Sequence, residues 1–351
     1  MLPLILKKDR FGDFVTHLMQ SHRVVAPVAK GQDFAFEEVE SPEDAARIRM
    51  DYSRTILPPK KFLLPVYERL LEFSGASPDA AEPVINVEPT IILGVHPYDL
   101  HGIATIEVAL SADPKDANFL ARRAVTRIVG LNIQSYSDEH QFMADMGTVE
   151  PPDGVAEMML TDIGDRYFVE LGSETGREML ADCPLCEQAG PEDHRAKQDY
   201  DAAKAKNFPK RLPYNVRYLP ELLESSYDSL LWDAVARRCF SCGTCTNVCP
   251  TCYCFDVRDK LNLDASSGAR ERMWDSCQLE VFAEVAGGEN FREHRASRLR
   301  HRMFRKGKYI NERTGKLGCV GCGRCSRHCV ANISILEGFQ QIAGEAAEVN
   351  V

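Results

Sequence analysis

Residues 239–250 read CFSCGTCTNVCP, a run in which two, two and three residues separate four cysteines and a proline follows the last one. This spacing is typical of the ligand run of a bacterial-type [4Fe–4S] cluster. The same spacing returns in the cysteines of residues 319–329. Because chance poorly explains two such runs in 351 residues, the sequence predicts two iron–sulfur clusters.

The cysteine order also predicts which thiol serves which cluster. In two-cluster ferredoxins, the fourth cysteine of a run ligates the other cluster. That rule gives one cluster Cys239, Cys242, Cys245 and Cys329, and the other Cys319, Cys322, Cys325 and Cys249. Gly243 and Gly323 stand where each loop must bend, because glycine adopts backbone angles closed to other residues. We therefore expect the two runs to interlock.

A zinc site or a disulfide framework is the alternative explanation for so many cysteines. Zinc sites usually use pairs of CxxC motifs rather than a triple with a trailing fourth cysteine. Disulfide frameworks suit short secreted domains, whereas the first 182 residues of this chain contain no cysteine. The pattern favours iron–sulfur clusters over both alternatives.

A further set of cysteines lies outside the two runs: Cys183, Cys186, Cys252, Cys254 and Cys277. The first two are spaced like half of a metal site, and four of the five could close a third cluster or a zinc site. Alternatively, the last three are small buried residues packed against the clusters, as free cysteine often is. The sequence leaves both interpretations open.

Composition limits the class of protein. An apolar fraction of 44% allows a sizeable core, and the length favours two domains or one large one. A net charge of −10 argues against general nucleic-acid binding, which needs excess lysine and arginine. The N-terminal MLPLILKKDR has no signal-peptide pattern, and no window is apolar enough for a membrane span. We expect a cytoplasmic protein with no membrane span.

The hydrophobic pattern predicts an α+β protein whose first part, residues 1–186, is a mixed α/β domain. Its expected strands are 34–39, 89–95 and 166–171, and its expected helices include 9–22 and 66–73. Neither G-x-G-x-x-G nor G-x-x-x-x-G-K-[ST] occurs, so no motif offers a nucleotide site. We interpret this domain as a docking scaffold.

The rest of the chain is predicted to be a linker and a cluster domain. Residues 187–213 are polar and contain prolines, which favours a linker. Residues 214–351 then form a mainly helical, two-[4Fe–4S] ferredoxin-like domain. An amphipathic helix near 227–235 leads to Cys239, and the long gap before Cys319 predicts helices packed around the clusters.

A basic stretch, FREHRASRLRHRMFRKGK at residues 291–308, stands out in this acidic protein. It could be a solvated helix face, the common explanation for a run of charge. It could instead raise the cluster reduction potentials by favouring the more negative reduced state, or dock an acidic partner. The sequence does not choose among these three.

Several longer strings carry a resemblance to a known family. They are CGTCTNVCPTCYCFDVRD at 242–259, MWDSC at 273–277, AGGENFREHRASRLRHRMFRK at 286–306 and CVGCGRCSRHC at 319–329. With them the chain resembles the β subunit of sulfhydrogenases and NAD(P)-linked group 3 [NiFe]-hydrogenases. It is also similar to the A subunit of anaerobic sulfite reductase. ILGVHPYDLHGI at 92–103 and ARRAVTRIVGLN at 121–132 extend the resemblance toward the N-terminus.

Two departures from the family pattern matter. The family commonly carries cysteines where this chain has Tyr98, Ile133 and residues 141–143, so a metal site built from them cannot form here. Cys329 is followed by Val330 rather than proline, which affects loop geometry but removes no ligand. These departures suggest a side branch of the family.

The resemblance implies an electron-transfer subunit of a multi-subunit oxidoreductase. Its partners would be a flavin- and NAD(P)-binding diaphorase-type subunit and a second redox subunit, which is hydrogenase-like, sulfite-reductase-like or heterodisulfide-reductase-like. The alternatives are a redox-sensing iron–sulfur protein, or a reductase with its own substrate site at His96, Asp99 and His101.

Overall fold

The computed structural model describes residues 2–74, 81–181 and 183–349. The strands are β1 Leu4–Lys7, β2 Arg23–Lys30, β3 Asp33–Val39, β4 Tyr67–Ser74, β5 Ala81–Pro83, β6 Thr90–Val95, β7 Thr126–Leu131, β8 Met158–Asp162, β9 Arg166–Leu171, β10 Cys186–Gln188, β11 Phe255–Leu261 and β12 Ser267–Trp274. The helices are α1 Phe11–Met19, α2 Pro97–Ser111, α3 Ala117–Val125, α4 Met143–Met146, α5 Glu174–Glu178, α6 Pro191–Lys204, α7 Leu219–Ser225, α8 Leu231–Ala236, α9 Thr244–Asn247, α10 Arg295–Phe304, α11 Ile310–Thr314, α12 Arg324–Arg327 and α13 Ile335–Val349. A π-helical turn, Arg305–Tyr309, joins α10 to α11.

The larger sheet has the strand order β10-β1-β9-β8-β7-β6-β2-β3. Its central strands β2, β6, β7 and β8 are parallel, and the outer pairs are antiparallel. All six residues of β6 are buried, which explains its continuous apolar sequence because helices and loops cover both faces of such a strand. The α+β class predicted from the sequence is confirmed.

The second sheet joins the two ends of the chain. Its order is β11-β12-β4-β5, so the hairpin that follows the first cysteine run adds to strands from the N-terminal part. The helix predicted at 66–73 is wrong, because β4 pairs along its length with β12. The gap between the cysteine runs therefore holds a hairpin as well as helices, and a mainly helical C-terminal domain is not confirmed.

The predicted linker, 187–213, contains β10 and the 14-residue helix α6. Its last part is tied down, since the amides of Arg211 and Leu212 both donate to the Asp145 carboxylate at 3.0 Å. Only the short helix α8 forms in the stretch where one helix was expected near 227–235, because residues 226–230 form a turn after α7. The indole of Trp232 closes this turn by donating to the Ser226 carbonyl at 2.6 Å. The division of the chain into domains stays a prediction.

Two apolar cores organise the molecule. The larger core fills both faces of the eight-stranded sheet, with β6 and β7 at its centre. The second core packs Trp232, Phe304 and Phe339 beneath the second cysteine run. None of the helices in the described ranges combines the length and apolar character needed to cross a bilayer.

Candidate iron–sulfur centres

The two cysteine runs fold into matching loops. The amide of Ser241 points at the Cys239 sulfur at 3.4 Å, and the amide of Gly321 points at the Cys319 sulfur at the same distance. Both amide-bearing residues have positive φ angles, 54° for Ser241 and 68° for Gly321. Short helices, α9 and α12, follow the loops and pack against each other. The sequence repeat is thus a structural repeat.

Both the backbone angles and the close packing at the loop bends require glycine. Gly243 and Gly323 have φ angles of 80° and 73°, in the left-handed region that favours glycine. A Cβ at Gly243 would lie 2.9 Å from the Ser276 Cβ, and one at Gly323 would lie 2.8 Å from the His140 carbonyl carbon. A larger residue at either position would therefore displace its neighbours as well as strain the backbone.

A cavity lies where the first run meets the end of the second. Its lining includes Cys239, Cys242, Cys245, Cys325 and Cys329. The structure thus brings Cys329, the last cysteine of the second run, beside the first three. Burial raises the pKa of Cys245 to about 12, so a thiolate there needs a positive partner.

The remaining predicted ligands form a second, more deeply buried group. Cys249, Cys319 and Cys322 are all buried. Cys319 and Cys322 each lie within electrostatic range of both Cys249 and Cys325. Burial raises the pKa of Cys322 to about 11. Cys325, which also lines the first cavity, lies between the two groups, so the assignment of each cysteine to one cluster stays a prediction.

The spacing of these sulfurs differs from that of a single-ion site. Across the described ranges, no three His, Cys, Asp or Glu side chains converge closely enough to hold one metal ion. A zinc ion needs its ligands about 2.0–2.3 Å from one point. A cube of iron and sulfide holds its thiolates farther apart than a single zinc ion does.

Buried cations surround the cysteines. Arg298, Arg302 and Lys306 recur every four residues along α10 and the π-helical turn, and all three are buried. Buried Arg54, Arg272 and Arg324 each contact a carboxylate. By contrast, no carboxylate in the described part of the chain lies within ion-pair range of Arg298, Arg302 or Lys306. Arg302 and Lys306 lie near the thiols, whereas Arg298 donates to the Arg292 carbonyl at 3.1 Å. The basic stretch is therefore partly buried and is not merely a solvated helix face.

Lys306 and Lys60 flank the second group from opposite sides. The Lys306 ammonium donates to the Thr251 hydroxyl at 2.6 Å and lies against the thiols of Cys249 and Cys252. Although burial opposes it, the charge of those thiols raises the pKa of Lys306. Lys60, from the N-terminal part, donates to the Cys252 carbonyl at 2.6 Å, and burial lowers its pKa to about 8. Both ammonium groups need negative charge nearby, which cluster thiolates would supply.

Residues of the N-terminal part donate hydrogen bonds to the backbone carbonyl groups of the second cysteine loop. Arg54 donates to the Cys322 carbonyl at 3.0 Å, and the Thr148 hydroxyl donates to the Val320 carbonyl at 2.7 Å. Between them, the Phe142 amide donates to the Gly321 carbonyl at 2.9 Å. Side chains and backbone far away in sequence thus fix the loop conformation.

The polar residues of HPYDLH do not form a common site. Asp99 pairs with Arg324 through two contacts of 2.6 and 2.7 Å, and both side chains are fully buried. His96 stacks on the Tyr52 ring at 4.0 Å, whereas His101 contacts the Glu150 carbonyl at 2.9 Å. These contacts are structural, and they do not support a substrate site at the three residues.

Four of the five other cysteines form two neighbouring pairs, and the fifth, Cys252, lies beside the predicted ligand Cys249. Cys186 lies beside Cys183 at the edge of the larger core. Cys252 lies beside Cys249, and Cys254 lies beside Cys277 at the base of the β11–β12 hairpin. The structure does not gather four of the five around one point, so a third metal site stays a prediction.

The positions where the family carries cysteines are filled by apolar side chains. Tyr98 and Met143 are buried in a small cluster with Val320 and Cys322, and Ile133 packs against it. These positions thus converge beside the second cysteine run, although they are far apart in sequence. In this chain, the side chains of Tyr98, Ile133 and Met143 stand at these positions in place of thiols.

The sequence predicts some of the residues that surround the centres and not others. The basic stretch at 291–308 contains Arg298, Arg302 and Lys306, whose spacing of four predicts a shared helix face. The pairing of Asp99 with Arg324 and the contact of Lys60 with Cys252 carry no local signal, since these partners lie more than 190 residues apart. Only the folded chain identifies them.

Comparison with known proteins agrees with this geometry. A family model described as a 4Fe-4S dicluster domain matches residues 238–333, which contain both cysteine runs. Over 338 residues, the chain is 33% identical to the sulfhydrogenase 2 subunit beta of Pyrococcus furiosus. The match covers 96% of this chain and 97% of that protein, so it includes the N-terminal part as well. The predicted resemblance to sulfhydrogenase β subunits is confirmed.

Proposed function

Because the chain belongs to the sulfhydrogenase beta-subunit family, we propose that it relays single electrons through two [4Fe–4S] clusters between two partner subunits. Family membership and the dicluster domain make it an iron–sulfur, electron-transferring subunit of a hydrogenase-like oxidoreductase complex. Within that role, we assign the donor or acceptor on one side to a flavin- and NAD(P)H-handling, diaphorase-type subunit. The other partner is a hydrogenase-like redox subunit.

The observation that carries the proposal is the cavity in which Cys329 joins the first cysteine run. It supports one cluster on Cys239, Cys242, Cys245 and Cys329. The proximity of Cys319 and Cys322 to both Cys249 and Cys325 supports a second cluster on those four cysteines. When bound, such clusters supply one-electron transfer, which protein side chains do not perform readily. The thiolates would hold the clusters, and the buried Arg302 and Lys306 would balance their negative charge.

Paired cysteine substitutions test the crossed assignment in the purified holoprotein. Two clusters correspond to about eight irons per chain. Cys239→Ala with Cys329→Ala removes two ligands of one cluster, so about four irons remain. Cys319→Ala with Cys329→Ala damages both clusters, so iron falls toward zero. The reverse pattern, with about four irons left after Cys319→Ala/Cys329→Ala and almost none after Cys239→Ala/Cys329→Ala, would contradict the crossing.

The identity of the partners is a separate question. Affinity purification of the native complex is expected to recover a flavoprotein together with a nickel-binding large subunit. A sirohaem protein in its place would assign the chain to sulfite reduction instead. Reduction of the clusters by NAD(P)H in that complex separates an electron relay from a redox sensor, for which no rapid reduction is expected. The predicted cytoplasmic location stays a prediction.

A further inference from the structure

Cys254 and Cys277 form a pair of neighbouring thiols at the base of the β11–β12 hairpin. Cys254 directly precedes β11, and Cys277 lies three residues after β12 ends. The Asp275 amide donates to the Cys254 carbonyl at 3.0 Å, and the two thiols lie within hydrogen-bonding range of each other. The ladder that starts with Phe255 opposite Trp274 therefore brings the two cysteines to the same end of the hairpin.

The two thiols differ in exposure and in contacts. Cys277 is buried, with the Gln278 side-chain amide 3.7 Å and the Thr246 hydroxyl 4.0 Å from its sulfur. Cys254 is only half-buried. The hydrogen bond between the two thiols lowers the pKa of Cys277 and raises the pKa of Cys254, so Cys277 is the thiol that ionises first. Such an unequal pair is suited to thiol–disulfide chemistry.

The pair also adjoins the first candidate centre. Ser276 donates to the Thr246 hydroxyl at 3.0 Å, and Thr246 directly follows Cys245 in helix α9. The negative charge of Cys277 contributes to the raised pKa of Cys245. Neither Cys254 nor Cys277 belongs to the proposed ligand sets. A cluster would also hold thiols on different irons apart, whereas the thiols of Cys254 and Cys277 are neighbours.

We propose that Cys254 and Cys277 are a redox-active dithiol that stores two electrons beside the first cluster. The proposal rests on the electron-relay function above, because electrons reach the pair from the chain's clusters. On oxidation, the two sulfurs form an S–S bond and Cys254 releases its proton. Two electrons leave, one to each oxidised [4Fe–4S] cluster; reduction reverses each step. The chain thereby joins one-electron transfer to carriers that exchange electrons in pairs, such as a hydride donor.

Mass spectrometry of the unmodified holoprotein is the first test. The protein is poised anaerobically at a series of potentials, quenched in acid, alkylated and digested. At oxidising potentials, a disulfide is expected to join the peptides that contain Cys254 and Cys277, with a mass two hydrogens below the sum of the two thiol peptides. At reducing potentials, both cysteines are expected to be alkylated. The fraction joined should follow a two-electron Nernst curve. Alkylation of both cysteines at every potential would overturn the proposal.

Reductive titration of a matched pair of variants is the second test. The Cys254→Ser/Cys277→Ser protein is expected to keep its iron and accept two fewer electrons per chain than the wild type. Cys183→Ser/Cys186→Ser, which changes another neighbouring pair, should keep the wild-type electron count. Loss of iron from the first variant would make the cysteines ligands and overturn the dithiol. Wild-type protein without iron would instead contradict the proposed function, so the two failures are distinguishable.

Discussion

A buried ammonium group without a carboxylate beside it is costly, since removal of an ion from water costs several kcal/mol. Lys60 and Lys306 are both almost fully buried, and each lies near Cys249 and Cys252. Their cost is offset if the cysteines carry negative charge. A cluster gains a further negative charge on reduction, so these cations also favour its reduced state.

Lys306→Met tests this effect at a single residue. Methionine keeps most of the side-chain volume but removes the charge, so the reduction potential of the Cys249-containing cluster is expected to fall. Potentiometric titration followed by EPR measures it. Lys308→Met is the matched control, because Lys308 forms an ion pair with Glu224 at 3.0 Å and with Glu312 at 2.8 Å. An unchanged potential in Lys306→Met, or the same fall in the control, would contradict the argument.

At the scale of elements, helix α2 holds helix α12 in place through Asp99 and Arg324. Asp99→Asn leaves the guanidinium buried without its counter-charge, and loss of one partner of a buried pair costs about 3–5 kcal/mol. Denaturant unfolding of the holoprotein is therefore expected to show a clear loss of stability. Asp51→Asn is the control, because its pair with Arg49 is exposed and contributes at most about 1 kcal/mol. Equal losses of stability in both variants would argue against a stabilising role of the Asp99–Arg324 pair.

The same scale shows what local sequence could and could not predict. The cluster loops follow from cysteine spacing and glycine, and both signals lie within a dozen residues. Strand β4 was mistaken for a helix because its partner, β12, lies about 200 residues farther along the chain. The inward-facing cations of α10 depend in the same way on what the helix packs against. Local sequence therefore predicted the cysteine loops better than the elements that surround them.

At the scale of the whole molecule, the two candidate centres differ in exposure. Cys242 of the first group is exposed, whereas Cys249, Cys319 and Cys322 of the second are buried. Phe240 and Val330, which line the first cavity, leave 68% and 74% of their surface open to solvent. Because these two large apolar side chains are exposed together at one cavity mouth, they could form part of a contiguous interaction surface. We therefore predict that the first centre is the one that exchanges electrons with a partner subunit.

Phe240→Asp combined with Val330→Asp tests that orientation. Two carboxylates at the mouth of the cavity would have to be desolvated on docking, so we expect weaker assembly with the partner and slower cluster reduction in the complex. Iron content should stay at the wild-type value, because neither side chain is a ligand. Leu263→Asp is the control, since Leu263 is fully exposed at the tip of the β11–β12 hairpin. If assembly fails equally in the control, or survives intact in the double variant, the partner docks elsewhere and electrons enter by another face.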